Sequence, residues 1–277
     1  MHLKVSILLS VYNGESHLEE QLLSLLQQKN IDNYEVDVIL RDDGSSDNSA
    51  NIINQYCNQY PNFFKKNETV LNNLGASDSF LYLLKEVDAD IYLFCDQDDI
   101  WHENKISISV QSLISHKDFG KKPILFFSNL SLVNDTGKYL NISLWELQKI
   151  KPSLFNLWSN FLCNSMVTGC TMAFTKEVKK IETLYSRPAF FLHDQWISVL
   201  ISKNGCITYS NVELIKYRQH SYNVIGAENF DFKKIINKSV CFLKKIRAHY
   251  SLCKNLSDVS FSRYFFRKLI ISFIRLF

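Results

Sequence analysis

The residues best suited to chemistry fall at the ends of apolar runs. Asp96-Gln97-Asp98-Asp99 follows Ile91-Tyr92-Leu93-Phe94-Cys95. Three carboxylates within four residues repel one another, and a hard cation such as Mg²⁺ or Mn²⁺ relieves that repulsion while keeping positions open for a diphosphate. Taken alone, the segment also reads as a solvated loop in which Asp99 caps the next helix. Asp42-Asp43-Gly44-Ser45 ends another run. Asx turns and helix caps explain it by themselves, and a carboxylate there can also accept from a nucleobase N–H or a ribose hydroxyl. Ser10, Tyr12 and Asn13 end the first run, and His193-Asp194-Gln195-Trp196 opens a helical pattern further on.

These positions need a scaffold, and the hydrophobic pattern describes one. Val5–Val11 and Val36–Leu40 read as strands, with a helix over Ser16–Gln28 between them through Leu18, Leu22, Leu25 and Leu26. The pattern continues as a helix over Ser46–Tyr60 capped by Ser45 or Ser46, a short strand at Thr69–Leu71, a helix over Ser77–Val87 and a buried strand at Ile91–Cys95. Beyond Trp101 it gives a helix at Ile106–Leu113, strands at Ile124–Ser128 and Val167–Phe174, a helix at Asp194–Lys203, and strands at Ile207–Tyr209 and Leu214–Arg218. This order predicts an α/β fold with a doubly wound, mostly parallel sheet whose ligands sit at the carboxyl ends of the strands. Three polar loops then converge on one crevice.

A chain of 277 residues, 46% hydrophobic, can bury a sizeable core. Its seven cysteines are scattered, with no C-x-x-C pair and no clustering with histidines in sequence. They read as reduced thiols and argue against a zinc site or disulfide framework. The apolar N-terminal run reads as a strand rather than a signal peptide, and no stretch is long enough to span a bilayer. Charge is uneven: residues 231–277 hold eleven Lys and Arg against two Asp, which leaves residues 1–230 net acidic. Phe232, Ile235, Ile236, Val240, Leu243 and Ile246 recur at helical spacing, as do Phe261, Phe265, Leu269, Phe273 and Phe277, with cations between. Such basic amphipathic helices suit a membrane surface; alternatively, their apolar faces pack on the preceding domain and leave the charges in solvent. No nucleic-acid-binding module accompanies them.

Taken in order, Ser10-Val11-Tyr12-Asn13, Asp42-Asp43-Gly44-Ser45 and Asp96-Gln97-Asp98-Asp99 resemble the motifs of family 2 glycosyltransferases with the A-type nucleotide-diphospho-sugar fold, over roughly Lys4 to Ala227. The resemblance implies a catalytic domain at 1–230 and a basic helical tail at 231–277. It implies that Ser10, Tyr12 and Asp43 line a nucleobase pocket with Tyr12 stacked on the base, that Asn13 lies on the donor side, and that Asp42 supports the turn. Asp96 would face the ribose or metal-bound water, Asp98 would be the principal ligand of Mg²⁺ or Mn²⁺, and Asp99 would stand behind them. An inverting transfer needs a base to deprotonate the acceptor hydroxyl. The family places an acidic residue at a helix start after the central strands, which is Asp194 here. Gly169 and Trp196 would lie on the acceptor side.

The ending Tyr217-Arg218-Gln219-His220, together with Asp-Gln-Asp-Asp-Ile-Trp and His-Asp-Gln-Trp, resembles a rhamnosyltransferase subgroup that builds bacterial surface polysaccharides. That implies transfer of L-rhamnose from dTDP-L-rhamnose to a lipid-linked saccharide, in the cytoplasm on the inner face of the membrane. His220 would close on the metal or diphosphate, and Arg218 would neutralise phosphate charge. The Gln-x-x-Arg-Trp motif of processive members is absent, which points to one sugar per encounter. Where many relatives carry Ala-Arg-Asn, this chain has Asn73-Leu74-Gly75-Ala76-Ser77, so no arginine contact to the donor is expected there. Two rivals remain: a haloacid-dehalogenase-like phosphatase with Asp96 as nucleophile, and a sugar-nucleotide-binding scaffold without turnover.

Overall fold

The computed structural model describes residues 3–67, 72–189, 191–219 and 260–275. The first half alternates: β1 (Leu3–Val11), α1 (Leu18–Leu26), β2 (Tyr34–Asp42), α2 (Ser49–Gln59), β3 (Phe64–Lys66), α3 (Ala76–Glu86) and β4 (Ile91–Cys95). There follow β5 (Ile100–Trp101), α4 (Lys105–Ile114), β6 (Ile124–Asn134), β7 (Tyr139–Ser143), α5 (Leu144–Leu147), α6 (Trp158–Cys163), β8 (Met172–Thr175), α7 (His193–Asn204), β9 (Cys206–Gln219) and α8 (Phe261–Ile274).

One mixed sheet runs β3-β2-β1-β4-β8-β6-β9-β5, with β7 paired to β6. β1 to β4 are parallel; β8 runs against both β4 and β6, and β9 is parallel to β6. The chain steps outward from β1 to β3 and then returns to place β4 on the other side of β1. That reversal opens a crevice at the carboxyl ends of β1, β2 and β4.

Helices cover both faces, so β4 is apolar and buried along its whole length rather than alternating. Val5, Ile7 and Leu9 join Leu18, Leu22, Ile53, Ile106 and Val110 in one core, against α1, α2 and α4. Leu8, Tyr92, Phe94 and Phe127 join Phe80, Leu84, Phe161, Ile197, Tyr264 and Ile271 in the other, against α3, α6, α7 and α8. Each such fully buried side chain contributes about 1.5–3 kcal/mol.

Local differences from the pattern have local causes. The strand expected at Thr69–Leu71 lies outside the described residues, and β3 comes earlier, where Phe64 packs edge-on against Tyr56 at 5.7 Å. α2 starts at Ser49 rather than Ser46 because Ser45 donates to Asp42 (2.6 Å) and the Ser46 N–H donates to Asn13 (2.8 Å), which holds both in the loop. The strand expected over Val167–Phe174 begins as a 3-10 turn at Gly169–Thr171, pinned by Thr171 Oγ1 donating to the Thr168 carbonyl at 2.7 Å. The two short strands at Ile207–Tyr209 and Leu214–Arg218 are one strand, β9, with register shifts against β6 between Ser128 and Ser131.

The described part of the tail, α8, departs from the packing expectation, in which its charges were left in solvent. Tyr264 and Ile271 are buried against the domain, but the cations also turn inward. Arg267 Nε donates to Asn160 at 2.7 Å, Lys268 Nζ to the Cys163 carbonyl at 3.1 Å, and Arg275 Nε to the Gln148 carbonyl at 2.8 Å. Phe266, Leu269, Ile270 and Phe273 face outward. The first tail pattern, Phe232 to Ile246, lies outside the described residues. Among the described residues, no helix is long and apolar enough to cross a membrane. The described cysteines are free thiols. One of them corrects the expectation of scattered cysteines: Cys206 meets His116 and Asp118, their ligand atoms within 4.8 Å of one another.

Candidate active site

A cavity of about 710 Å³ occupies the crevice. Ser10 and Tyr12 reach it from the end of β1, Asp43 from β2, Asp96, Gln97 and Asp98 from β4, Ser77 and Phe80 from α3, Gly169 from the turn before β8, and His193, Asp194 and Gln195 from the start of α7.

The first two loops are sewn together. Asn13 adopts a left-handed backbone (φ 49°) that aims its N–H at Ser45 Oγ (3.0 Å) and its side-chain oxygen at the Ser46 N–H (2.8 Å). The Gly14 N–H donates to Ser49 Oγ at 2.8 Å, and the Glu15 N–H to Asp47 at 3.0 Å. Asp42 accepts from the Ser45 N–H at 3.0 Å as an Asx turn. Asp43 is buried and charge-paired with buried Arg41, and it also accepts from the Leu74 and Gly75 N–H groups at 2.7 and 2.8 Å. Arg41 in turn donates to Ser79 Oγ (2.6 Å) and to the Asn72 carbonyl (2.8 Å), and Ser79 Oγ lies 2.6 Å from Ser10 Oγ. Asp43 and Ser10 are thus fixed from behind. Tyr12, 51% exposed, leaves its ring free for a flat ligand.

Gln97 ties the first loop to the acidic one. Its Oε1 accepts from the Tyr12 N–H at 2.8 Å and its Nε2 donates to the Tyr12 carbonyl at 3.1 Å. A Cβ on Gly14 would lie 2.7 Å from the Gln97 amide, so the clamp requires glycine there.

In the acidic loop, burial first, then the charges of Asp98 and Asp194, push Asp96 up to about 7. Buried Asp99 is raised well above the usual carboxylate range by burial, then by Asp98 and Asp96. Its Oδ1 accepts from the Arg218 N–H at 3.2 Å, while its Oδ2 is buried with no hydrogen-bond partner. The ligand atoms of Asp96, Asp99 and Cys170 lie within 4.8 Å of one another. Stacked negative charge with an unsatisfied oxygen fits a hard divalent cation, with Asp98 and Asp96 presented to the cavity. Beneath the loop the Lys105 ammonium is buried 4.4 Å over the Trp101 ring, and burial pushes it down to about 8.

Asp194 sits at the start of α7, 8% exposed. Its Oδ2 accepts from the Gly169 N–H at 3.1 Å and its Oδ1 from the Gln195 N–H at 2.6 Å. Burial pushes it up to about 6, and these two N–H groups draw it back. A carboxylate poised there is matched to taking a proton near neutral pH. His193 stacks on Phe80 at 4.4 Å, and burial, then Arg187, hold it at about 3, so its ring is neutral. A Cβ on Gly169 would lie 3.0 Å from His193 Nε2. Gly169 therefore seats the imidazole and positions the base, in addition to lining the cavity.

Ser10, Tyr12, Asp43, Asp96, Asp98, Gly169 and Asp194 thus share one cavity. Three expectations are corrected, those for Arg218, Asn13 and Trp196. Arg218 is buried and does not line the cavity: it donates to the Asp98 carbonyl at 3.0 Å and to the Asp135 carbonyl, and pairs with Glu20, so it braces the acidic loop from behind instead of meeting phosphate. Asn13 links two loops rather than lining the cavity, while Asp42 supports the 42–45 turn as expected. Trp196 is core, with Nε1 donating to the Leu184 carbonyl at 2.8 Å. His220 lies outside the described residues. Gln97, Arg41 and His193 were not singled out by the sequence. A charged residue inside an apolar strand was the available signal for Arg41; Gln97 gave none beyond its position between two aspartates.

The exposed Tyr12 ring, the acidic loop and the buried Asp194 carboxylate thus face one strand-end crevice, in a fold of the A-type glycosyltransferase kind. The chain matches the profile of "Glycosyl transferase family 2" over residues 6–142. It is 29% identical over 235 residues to the dTDP-rhamnosyl transferase RfbG of Shigella flexneri, covering 81% of this chain and 75% of the relative. It is 25% identical over 224 residues to an uncharacterized glycosyltransferase of Rickettsia typhi, covering 78% of this chain and 64% of that protein's length. Among solved structures it resembles S. aureus TarS 1-349 in complex with UDP-GlcNAc, with TM-score 0.63, 17% identity, and 95% and 69% of the two chains covered. Glucosyl-3-phosphoglycerate synthase from Mycobacterium tuberculosis, with Mn²⁺, UDP and glucosyl-3-phosphoglycerate, gives TM-score 0.51, 17% identity, and 89% and 80% coverage. No role for Asp96 as a phosphatase nucleophile emerges, since the first two loops join it in the same cavity.

Proposed function

We propose that the chain is an inverting, metal-dependent transferase that moves one L-rhamnose from dTDP-L-rhamnose to a hydroxyl of a bacterial surface-polysaccharide precursor. The observation that carries this is Asp194 on the wall of the cavity that also holds Tyr12, Asp43, Asp96 and Asp98. Tyr12 and Asp43 bind the nucleobase, the one by its ring and the other by its carboxylate edge. Asp98 and Asp96 would hold Mg²⁺ or Mn²⁺, which when bound supplies positive charge against the departing diphosphate. Asp194 takes the acceptor's proton as its oxygen attacks the anomeric carbon on the face opposite that diphosphate. Gly169 and Gln195 keep the carboxylate oriented.

The rhamnose reading is supported by the Shigella relative and by the apolar part of the wall, Phe80, Leu144, Met166, Val167 and Leu192, which suits the methyl of a 6-deoxy sugar better than a hydroxymethyl group. We further read the acceptor as lipid-linked and the protein as peripheral on the inner face of the membrane, in keeping with the eleven cations of residues 231–277. Turnover of a nucleotide-sugar panel with Mg²⁺ or Mn²⁺ tests the assignment. Selective use of dTDP-L-rhamnose, lost in Asp98→Ala and Asp194→Asn, is the expected result. Preference for another donor removes the rhamnose reading, and no turnover of any donor removes the transferase reading.

A further inference from the structure

α8 presents an unusual surface. Phe266 and Phe273 are each 62% exposed, and Leu269 and Ile270 are also exposed. At 3.6 residues per turn these four positions fall within about 100° of arc, an unbroken apolar stripe along the helix. The usual logic of a helix resting on a domain is inverted. Arg267, Lys268 and Arg275 are spent on Asn160, the Cys163 carbonyl and the Gln148 carbonyl, so polar groups share the inward face with Tyr264 and Ile271 while a second set of apolar side chains faces out. Arg263, exposed, borders the stripe.

We infer that this outer face of α8 is a wedge that inserts into the interfacial layer of an anionic lipid bilayer, through Phe266, Leu269, Ile270 and Phe273. This rests on the membrane location proposed above but replaces its agent: apolar side chains do the anchoring and the basic charge assists. Three observations favour lipid over a protein partner. The four side chains of the stripe, two aromatic and two aliphatic, offer a protein partner no hydrogen bond of their own to fix its orientation. The surrounding sequence of residues 231–277 holds eight cations besides the three that bind inward, against two Asp, and so complements anionic headgroups. The anchors also tie the wedge to the cavity. Arg275 grips the carbonyl of Gln148, a cavity-lining residue, and α8 packs on α6, immediately before the lining segment Ser165–Gly169. Docking by this face brings the cavity rim next to the bilayer, where a lipid-linked saccharide is presented.

The test is co-flotation of the full chain with phosphatidylcholine vesicles containing phosphatidylglycerol, for wild type and Phe266→Ser/Phe273→Ser, with Leu269→Ser/Ile270→Ser as an independent pair on the same face. The expected result is a fall in partitioning of about tenfold or more in each variant, with a fraction of wild-type binding that survives high salt. Unchanged partitioning in both variants, or complete loss of wild-type binding in salt, overturns the wedge in favour of the charged segment alone. A wild-type dimer in sedimentation velocity that the variants abolish, without vesicle binding, overturns it in favour of self-association. Donor hydrolysis in detergent-free buffer, measured in parallel, separates the two readings. Wild type that floats but turns over no nucleotide sugar leaves the docking face standing and removes the transferase; turnover without flotation does the reverse.

Discussion

Under the proposed mechanism, Asp194 is the residue on which turnover depends most directly. With its carboxyl at about 6, it is charged at pH 7 and becomes protonated as the pH falls through 6. A base must be deprotonated to act, so the transfer rate should be level above about pH 7 and fall about tenfold per unit below pH 6, as initial rates in a constant-ionic-strength buffer series would show. Asp194→Asn should reduce transfer by at least about a thousandfold while donor affinity, read by calorimetry, stays within about threefold. Gln97 acts differently, because it touches loops and not the reacting atoms. Gln97→Ala removes both bonds to Tyr12, and Gly14→Ala pushes the same amide aside. Both should raise the donor KM several-fold with little change in melting temperature, since the lost hydrogen bonds lie at an exposed site.

At the scale of elements, the joint between α7 and β9 sets how the base-bearing helix meets the sheet. Gly205 ends α7, and a Cβ there would sit 1.8 Å from the Pro123 carbonyl, just before β6. The obstacle is backbone, which cannot rotate away. Gly205→Ala should therefore destabilise the fold by about 3 kcal/mol or more, measured by urea denaturation. The sequence made α7 visible as a helix but gave no warning of this contact, because Gly205 and Pro123 are 82 positions apart. β8 shows the same limit. Its apolar residues read as a strand, while its antiparallel insertion between β4 and β6 is a property of the sheet and not of the segment.

For the whole molecule, a cation held as proposed by the acidic loop would couple metal binding to folding. Asp96 and Asp99 are both raised first by burial and then by the charge of Asp98, a cost that a divalent cation would relieve. Millimolar Mn²⁺ or Mg²⁺ should raise the melting temperature by several degrees in the wild type and by much less in Asp98→Ala. Chelation should abolish transfer, and readdition should restore it.

The sequence by itself determined the alternating first half, the three loops at the strand ends and the acid that opens α7. Each depends on local pattern: apolar runs, turn residues, and carboxylates too close together to be accidental. Only the tertiary structure decided the rest, because it depends on which distant residues meet. It turned Arg218 from the cavity to the back of the acidic loop, since Glu20 and the Asp98 and Asp135 carbonyls satisfy its guanidinium there. It gave Arg41 the task of holding Asp43, moved Trp196 into the core, and gathered Cys206 with His116 and Asp118. It also set α8 with its cations inward. Periodicity finds a helix and its stripe, but which face turns to the protein is settled by the partners waiting there, here the side chain of Asn160 and the carbonyls of Cys163 and Gln148.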